Sequence, residues 1–489
     1  MVETLSLATL AKLPPGIGRP GYARSDLTAG ILHFGVGNFH RGHMAVYLDR
    51  LFRAGRDRDW AIIGTGVTEH DSRMRAALEQ QDWLTTVVEQ SEAETTARVT
   101  GAMVDFIPAG DTAAILASLE DPAVRIVSMT VTEGGYFIDS RTGAFMADHP
   151  QIRADIDDPS NPKTVFGLIA LGLRRRRDAG TAPFTVLSCD NLPHNGAVTR
   201  NAVAGLATSI DPDLGDWIRA TVAFPNGMVD RVVPATGERE RRRIRDEFGI
   251  ADRAPVFCED YIQWVLEDHF PAGRPALETV GVTFAADVTP FETMKLRILN
   301  GGHALIAYPA ALLDIDFAHD AMAHDLVARF LERTETTEIV PIVPPVPGVD
   351  LSEYLALIQR RFANPRIGDT TRRLCHDGSN RQPKFILPSI RDRLAAGQSI
   401  DGLTLGNALW CRYCAGTSES GAAVAANDPA WEQLQPRALA ARSDPASWLA
   451  LHDVYGDLAT DPTFAATFAH WLKAIWQDGT EATLRRYLG

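Results

Sequence analysis

The segment ETMKLRILNGGHALIAY, residues 292–308, holds side chains of a kind that can do chemistry. At about 100° per residue along a helix, Asn300 and His303 share a face, and Lys295 stands about 80° from His303 around the axis. An amine, an amide and an imidazole thus lie on one side, amid Leu296, Ile298, Leu299, Leu305 and Ile306. A polar patch on an otherwise apolar helix costs stability unless each group is paired. It reads either as a site offering hydrogen bonds and titratable groups to a ligand, or as a partly exposed helix whose end is capped with the help of Gly301 and Gly302. A second cluster, SCDNLPHNG at residues 188–196, follows a strand, and ligands bind at the carboxyl ends of parallel strands. There Asn191 offers both a donor and an acceptor. His194 and Asn195 are further candidates, although turn formation explains them equally well.

A third feature is Gly35-Val36-Gly37, between the first strand and the first long helix. A tight glycine turn lets the backbone approach a dinucleotide pyrophosphate. The helix start that follows, Asn38 and Phe39, supplies free N–H donors and the positive end of the helix dipole. The third glycine of the GxGxxG pattern is replaced by His40, and a plain strand-to-helix turn accounts for the two glycines as well. Beyond the second strand lie Glu69 and Asp71. An acid there can accept hydrogen bonds from ribose hydroxyls and repel the extra phosphate of NADP, or it is simply a solvated loop carboxylate.

The elements that must position these groups are legible as patterns. Residues 31–34, 60–64, 126–131 and 184–187 read as buried strands, and 40–52, 111–119 and 164–177 as helices. Alternation of strand and helix implies a parallel sheet covered on both faces. After about residue 285 convincing strands vanish. Residues 294–313, 321–334, 351–362, 389–396, 403–415 and 465–475 read as helices, and the proline-rich stretch 339–349 as an extended connector. The fold class is α/β, with residues 1–285 as one domain and a mostly α-helical domain over 286–489. The charge runs at 174–177 and 238–245 read as solvated helix surface.

Composition narrows the function. The 489 residues carry a net charge of -14, poor material for nucleic acid or an anionic membrane, since both need concentrated positive charge. No stretch reads as a membrane span or a secretory signal. Five widely spaced cysteines form no disulfide framework and point to a reducing, cytoplasmic setting. A catalytic zinc needs clustered ligands, and Cys411-x-x-Cys414 lies alone in an apolar helical stretch. None of the tyrosines has a lysine four residues later, which removes the Tyr-x-x-x-Lys dehydrogenase mechanism.

Several stretches carry a family likeness: GVGNFHRGH (35–43), TVTEGGY (130–136), SCDNLPHNGAVTR (188–200), FPNGMVDR (224–231), KLRILNGGH (295–303) and PKF (383–385) near CHDGS. With them the chain resembles the polyol-specific long-chain dehydrogenases from about residue 28 onward. The resemblance implies a Rossmann-like N-terminal domain, a helical C-terminal domain and a cleft between them. It also implies NAD as cofactor, no metal, and oxidation of a sugar alcohol of mannitol, sorbitol or arabinitol type to the ketose. By that likeness Lys295 is the general base, Asn191 and Asn300 hold the reacting oxygen, and Glu292 passes the proton to solvent. His303, Asp230, Arg373 and Arg381 fall at positions tied to the substrate hydroxyls or the cleft, with Arg381 standing where lysine is expected.

The chemistry fits these assignments. A free lysine is too basic to accept a proton at neutral pH, whereas burial beside a cationic nicotinamide disfavours its ammonium. Neutral amides stabilise an alkoxide without pairing off the amine. Sugar-acid reductases of the fructuronate or tagaturonate type share the architecture, and Arg373 and Arg381 can face a carboxylate. Mannitol 1-phosphate oxidation carries the same ambiguity. A non-catalytic nucleotide-binding sensor needs no alkoxide site, so the joint presence of Lys295, Asn300, His303 and Asn191 counts against it. The expected partner is a small polyol or ketose, and the expected state a monomer.

Overall fold

The computed structural model describes residues 2–139 and 143–489. The chain divides into two units, Met1–Val288 and Thr289–Gly489.

At the centre of the first unit are strands β1 (Ala29–Phe34), β2 (Ala61–Thr65), β3 (Met103–Phe106), β4 (Ile126–Met129) and β5 (Thr185–Ser188). They lie in the order β3-β2-β1-β4-β5, every neighbouring pair parallel. This is the strand order of a Rossmann-like sheet, with its switch point between β1 and β4. Among the helices that accompany it are α1 (Asn38–Gly42), α2 (Met44–Arg53), α3 (Glu69–Glu79), α4 (Thr112–Glu120), α5 (Val165–Ala179) and α6 (Asn195–Ile210). Alternate strand residues face opposite sides. Leu32, Phe34, Val127, Met129 and Val186 join a core with α4, α5 and α6, while Ile31, Ile62, Ile126 and Leu187 join a separate core with α2. The sheet is therefore covered on both faces.

Helix ends follow local chemistry. The Asp111 and Thr164 side chains cap α4 and α5 by accepting from Ala114 N (3.1 Å) and Gly167 N (3.0 Å).

Three sequence expectations change in this unit. The helix expected over 40–52 breaks at buried His43 (φ -125°, ψ -87°), whose ring pairs with the Gln263 carbonyl, giving α1 and α2. Arg176 is not solvated: it is buried, and its guanidinium donates to the carbonyls of Leu119, Asp121, Val124 and Ala182. Additional strands form small sheets, among them Thr85–Gln90 between Val256–Glu259 and Thr95–Thr100, and Gln263–Glu267 between Thr283–Ala285 and Gly227–Asp230. Short strands of mixed polarity such as TTVVEQ carry too little periodicity to stand out.

The second unit is helical among the described residues, apart from isolated bridges. Leu351–Phe362, Leu387–Ala395 and Pro462–Asp478 fall where periodicity places them. Its central run is α7 (Thr289–Met294), a π-helical turn Lys295–Asn300, and α8 (Gly301–Leu312). Gly406, on helix α9 (Asp401–Cys414), which is buried from Gly402 onward, lets that helix approach α8, since a Cβ there would sit 2.6 Å from Leu305 Cδ2. The proline-rich stretch is not simply extended: a second π turn, Glu335–Ile339, runs into the short helix Val340–Ile342.

Candidate active site

In the first unit the glycine turn sits at the carboxyl end of β1. Gly35 has φ 87°, and a Cβ on it would lie 2.2 Å from the Thr130 carbonyl oxygen, so only glycine fits. Gly37 caps α1 with ordinary φ, and a Cβ on it would meet nothing within 4 Å. This is the open space that a pyrophosphate needs beside a helix start. Val36 turns its side chain into the core. The Asn38 amide is spent within the protein, donating to Pro234 O (3.1 Å) and Thr236 Oγ1 (3.0 Å) and accepting from Arg41. Phe39 stacks on His43 at 4.8 Å. A cofactor at this turn would therefore meet backbone from residues 35–38 rather than the Val36 or Asn38 side chains.

His40, in place of the third glycine, is buried and stacks on His33 at 3.5 Å. His33 pairs with Ser128 Oγ (2.8 Å), Thr130 Oγ1 (3.2 Å) and the Gly35 carbonyl (3.2 Å), propping the turn from beneath. Burial pushes His33 down to about 3 and His40 well below the ordinary histidine range, so the pair is uncharged.

The two acids after β2 separate. Asp71 is buried in a capping box: its carboxylate accepts from Val67 N, Thr68 N and Thr68 Oγ1 (2.6 Å), and Asp71 N donates to Thr68 Oγ1. That cap accounts for Asp71 without the expected ribose contact. Glu69 is exposed at the head of α3, paired with Arg73 at 2.9 Å.

At the end of β5, Asn191 is exposed on a turn held from two sides. Buried Asn195 donates to Ser188 O, Asp190 O and Gly227 O and accepts from Gly227 N. Asn195 is thus a structural brace. The Asp190 carboxylate accepts from Val131 N (2.9 Å), Thr132 N (3.1 Å) and Tyr136 Oη (2.7 Å). Asp230 is buried at the end of its strand. Burial, with the Asp230 charge adding to it, pushes the Tyr47 phenol up to about 12.

In the second unit Glu292 and Lys295 are buried on the central run. Lys295 and Asn300 are the first and last residues of the π turn, in which Gly301 N–H donates to Leu296 O, five residues back. A uniform helix would set Lys295 and Asn300 about 140° apart, but the wider coil returns residues five apart toward one side. The Asn300 Oδ1 is buried without a hydrogen-bond partner among the described residues.

His303 stacks on Phe362 at 4.2 Å. Burial, then the charges of Arg373, Arg361 and Arg381, hold it well below the ordinary histidine range, which brings His303, Arg373 and Arg381 into one electrostatic neighbourhood. Arg373 is engaged by both oxygens of Asp369, and Arg381 donates to Leu374 O at 3.2 Å.

Sequence reasoning missed Glu335. It is fully buried, neither carboxylate oxygen has a hydrogen-bond partner among the described residues, and one lies 2.6 Å from where a Gly302 Cβ would be. Burial raises its carboxyl well above the usual range. Nothing in the segment RTETTEIV distinguishes it from a surface acid. Asp190 was equally silent, although an acid directly before a candidate amide is a signal that could have been used.

The mannitol dehydrogenase Rossmann-domain model matches residues 29–279, and the mannitol dehydrogenase C-terminal-domain model matches 287–476. Mannitol 2-dehydrogenase of Cereibacter sphaeroides is 60% identical over 473 residues, covering 96% of this chain and 99% of the relative. A Pseudomonas fluorescens mannitol 2-dehydrogenase, solved as a ternary complex with NAD and D-mannitol, matches with TM-score 0.89 and 42% identity over 99% of each chain. A D-sorbitol dehydrogenase in substrate-free form matches with TM-score 0.91 and 35% identity, over 98% of this chain and 100% of that one. No helix of the described residues is long and apolar enough to cross a membrane. The two matched domains and the likeness along nearly the whole length establish that this chain belongs to the mannitol dehydrogenase family.

Proposed function

We propose that the protein is an NAD-dependent polyol 2-dehydrogenase that oxidises a sugar alcohol to the ketose. D-Mannitol is the first substrate to try, because it is bound in the solved relative and named in the 60% identical one. When bound, NAD supplies the hydride acceptor. The chain's own groups handle the oxygen and the proton. Lys295, buried on the central run, takes the hydroxyl proton as general base. Asn300 and Asn191 steady the developing alkoxide through neutral N–H donors. Glu292, three residues before Lys295, carries the proton onward. His303 and Asp230 bind substrate hydroxyls, together with Arg373 and Arg381.

The backbone of Gly35, Val36, Gly37, Asn38 and Phe39 cradles the pyrophosphate. Exposed Glu69 disfavours an added 2′-phosphate by charge, and that role falls to it rather than to Asp71. A cytoplasmic monomer fits the five free, buried thiols and the net charge of -14.

The observation that carries this reading is buried Lys295 opening a π turn that Asn300 closes. Of the two cations that a sugar acid could use, Arg373 is paired with Asp369, whereas Arg381 donates to the carbonyls of Arg373 and Leu374, so substrate rates decide. Initial rates of NADH formation with mannitol, sorbitol, arabinitol and mannitol 1-phosphate, and of NADH consumption with fructuronate, test it. Turnover confined to the two acidic substrates would reject it.

A further inference from the structure

The loop after β4 and the turn after β5 are joined by one carboxylate. Asp190 accepts three hydrogen bonds from the 131–136 segment, two from successive backbone N–H groups and one from the buried Tyr136 phenol. Tyr136 also meets Ser188 Oγ at 2.6 Å, and Ser188 Oγ accepts from Asp190 N at 3.3 Å, so loop and strand end form a closed ring of polar contacts. The loop it holds is not in a relaxed shape. Thr132 has φ 65° and ψ 161°, a region that only glycine enters freely, and such a conformation persists only where surrounding contacts over-determine it. The same segment begins at Thr130, whose carbonyl crowds Gly35 and whose hydroxyl donates to the Gly35 carbonyl. Asp190 therefore ties together the strand end carrying Asn191 and a loop packed on the glycine turn, both at the carboxyl edge of the sheet.

We infer that Asp190 is a positioning residue for polyol oxidation: by locking the 131–136 loop to the β5 end, it sets the direction of the Asn191 amide and the wall beside the cofactor turn. Two charge-assisted backbone bonds and a phenol fix a carboxylate far more tightly than one contact would. Asn191, the next residue, inherits that fixed backbone. A neutral amide in place of the carboxylate must set its NH2 against one of the donors, so Asp190→Asn breaks the ring at little cost in volume.

The assignment rests on the polyol-oxidation reading, and the two fail differently: wild type lacking polyol-dependent NADH formation overturns that reading alone. For Asp190, we expect D190N to bind one NADH per chain while its kcat falls about tenfold or more, as for loss of an interaction used in the transition state. The primary deuterium isotope effect on kcat, measured with carbon-deuterated polyol, should rise, because a misplaced oxygen makes hydride transfer limiting; a change in folded fraction alone would leave it unmoved. Amide exchange in the 131–136 segment should quicken, a readout that needs no activity. Tyr136→Phe, which removes a single O–H, should show the same changes at smaller size and keeps the test open should D190N not fold. Wild-type kcat and isotope effect in both variants, or unchanged amide exchange in a folded D190N, would overturn the assignment.

Discussion

Lys295 and Asn300 open and close a single π-helical turn, so two side chains that a regular helix would separate are returned toward the same side. Removing the amine should therefore remove proton transfer while leaving the dinucleotide site of the other unit intact. Lys295→Ala is expected to lower kcat by about 10²- to 10⁴-fold, the usual worth of a general base. NADH affinity, read by fluorescence titration, should stay at the wild-type value.

The two glycines of the turn should respond differently to alanine. Gly35→Ala meets both a positive φ and the Thr130 carbonyl at 2.2 Å, so it should lower the melting temperature and cofactor affinity together. Gly37→Ala meets no protein atom within 4 Å and has an ordinary φ, so stability should hold while a methyl group intrudes on the pyrophosphate space. Calorimetry alongside NADH titration separates the two outcomes. An unchanged NADH affinity in Gly37→Ala would remove the cradle.

Glu335 should make the protein lose stability as pH rises above about 4.5. Its folded-state carboxyl titrates well above the ordinary 4.5, so above that value the native chain holds a proton that the unfolded chain has lost. Stability then falls as pH rises, by up to about 1.4 kcal/mol per pH unit until the folded-state value is reached. Glu335→Gln keeps the shape without the titration. Its melting temperature should exceed that of the wild type by a margin that widens from pH 5 to pH 8, in steps of about one unit.

The His33–His40 stack predicts the opposite limb. Both rings titrate below the ordinary 6.5 in the native state, His33 at about 3, so below 6.5 the unfolded chain binds protons that the native chain refuses. The stability these neutral rings confer is complete above 6.5 and is lost as pH falls toward 3. Replacing His40 with glutamine should make the acid limb of a urea-melt series shallower than that of the wild type. A parallel pair of curves would rule out the stack as a source of acid sensitivity.

Much of the site is legible because chemistry leaves residue types at fixed spacing. Lys295, Asn300 and His303 stand out as polar side chains on an apolar helix, and Gly35 and Gly37 as a turn after a buried strand. The π turn is not legible, since a change in which carbonyl an N–H meets has no side-chain signature. It also makes the uniform 100° wheel wrong for the distance from Lys295 to His303. The cap at Asp71 was readable, since Thr68-x-x-Asp71 is a capping-box pattern whose carboxylate accepts from the helix start. Arg176 and Glu335 went unseen because burial of a charge is decided by which distant segment covers it. Pairing of Gly227–Asp230 with Gln263–Glu267 and of Thr85–Gln90 with Val256–Glu259 joins strands far apart in the chain, which local pattern does not register, while the Thr85–Gln90 and Thr95–Thr100 hairpin is local but of mixed polarity.

The irregular coil at Lys295–Asn300 also limits how this segment can be borrowed. An engineer who transplanted residues 289–312 onto an ideal helical scaffold would keep every letter and lose the alignment of amine and amide. A one-residue deletion inside the coil would do similar damage in place, turning everything downstream by about a quarter revolution. Tolerance to insertions and deletions should therefore be lowest at a point in the middle of a helix, where a plain reading of the secondary structure would not look for it.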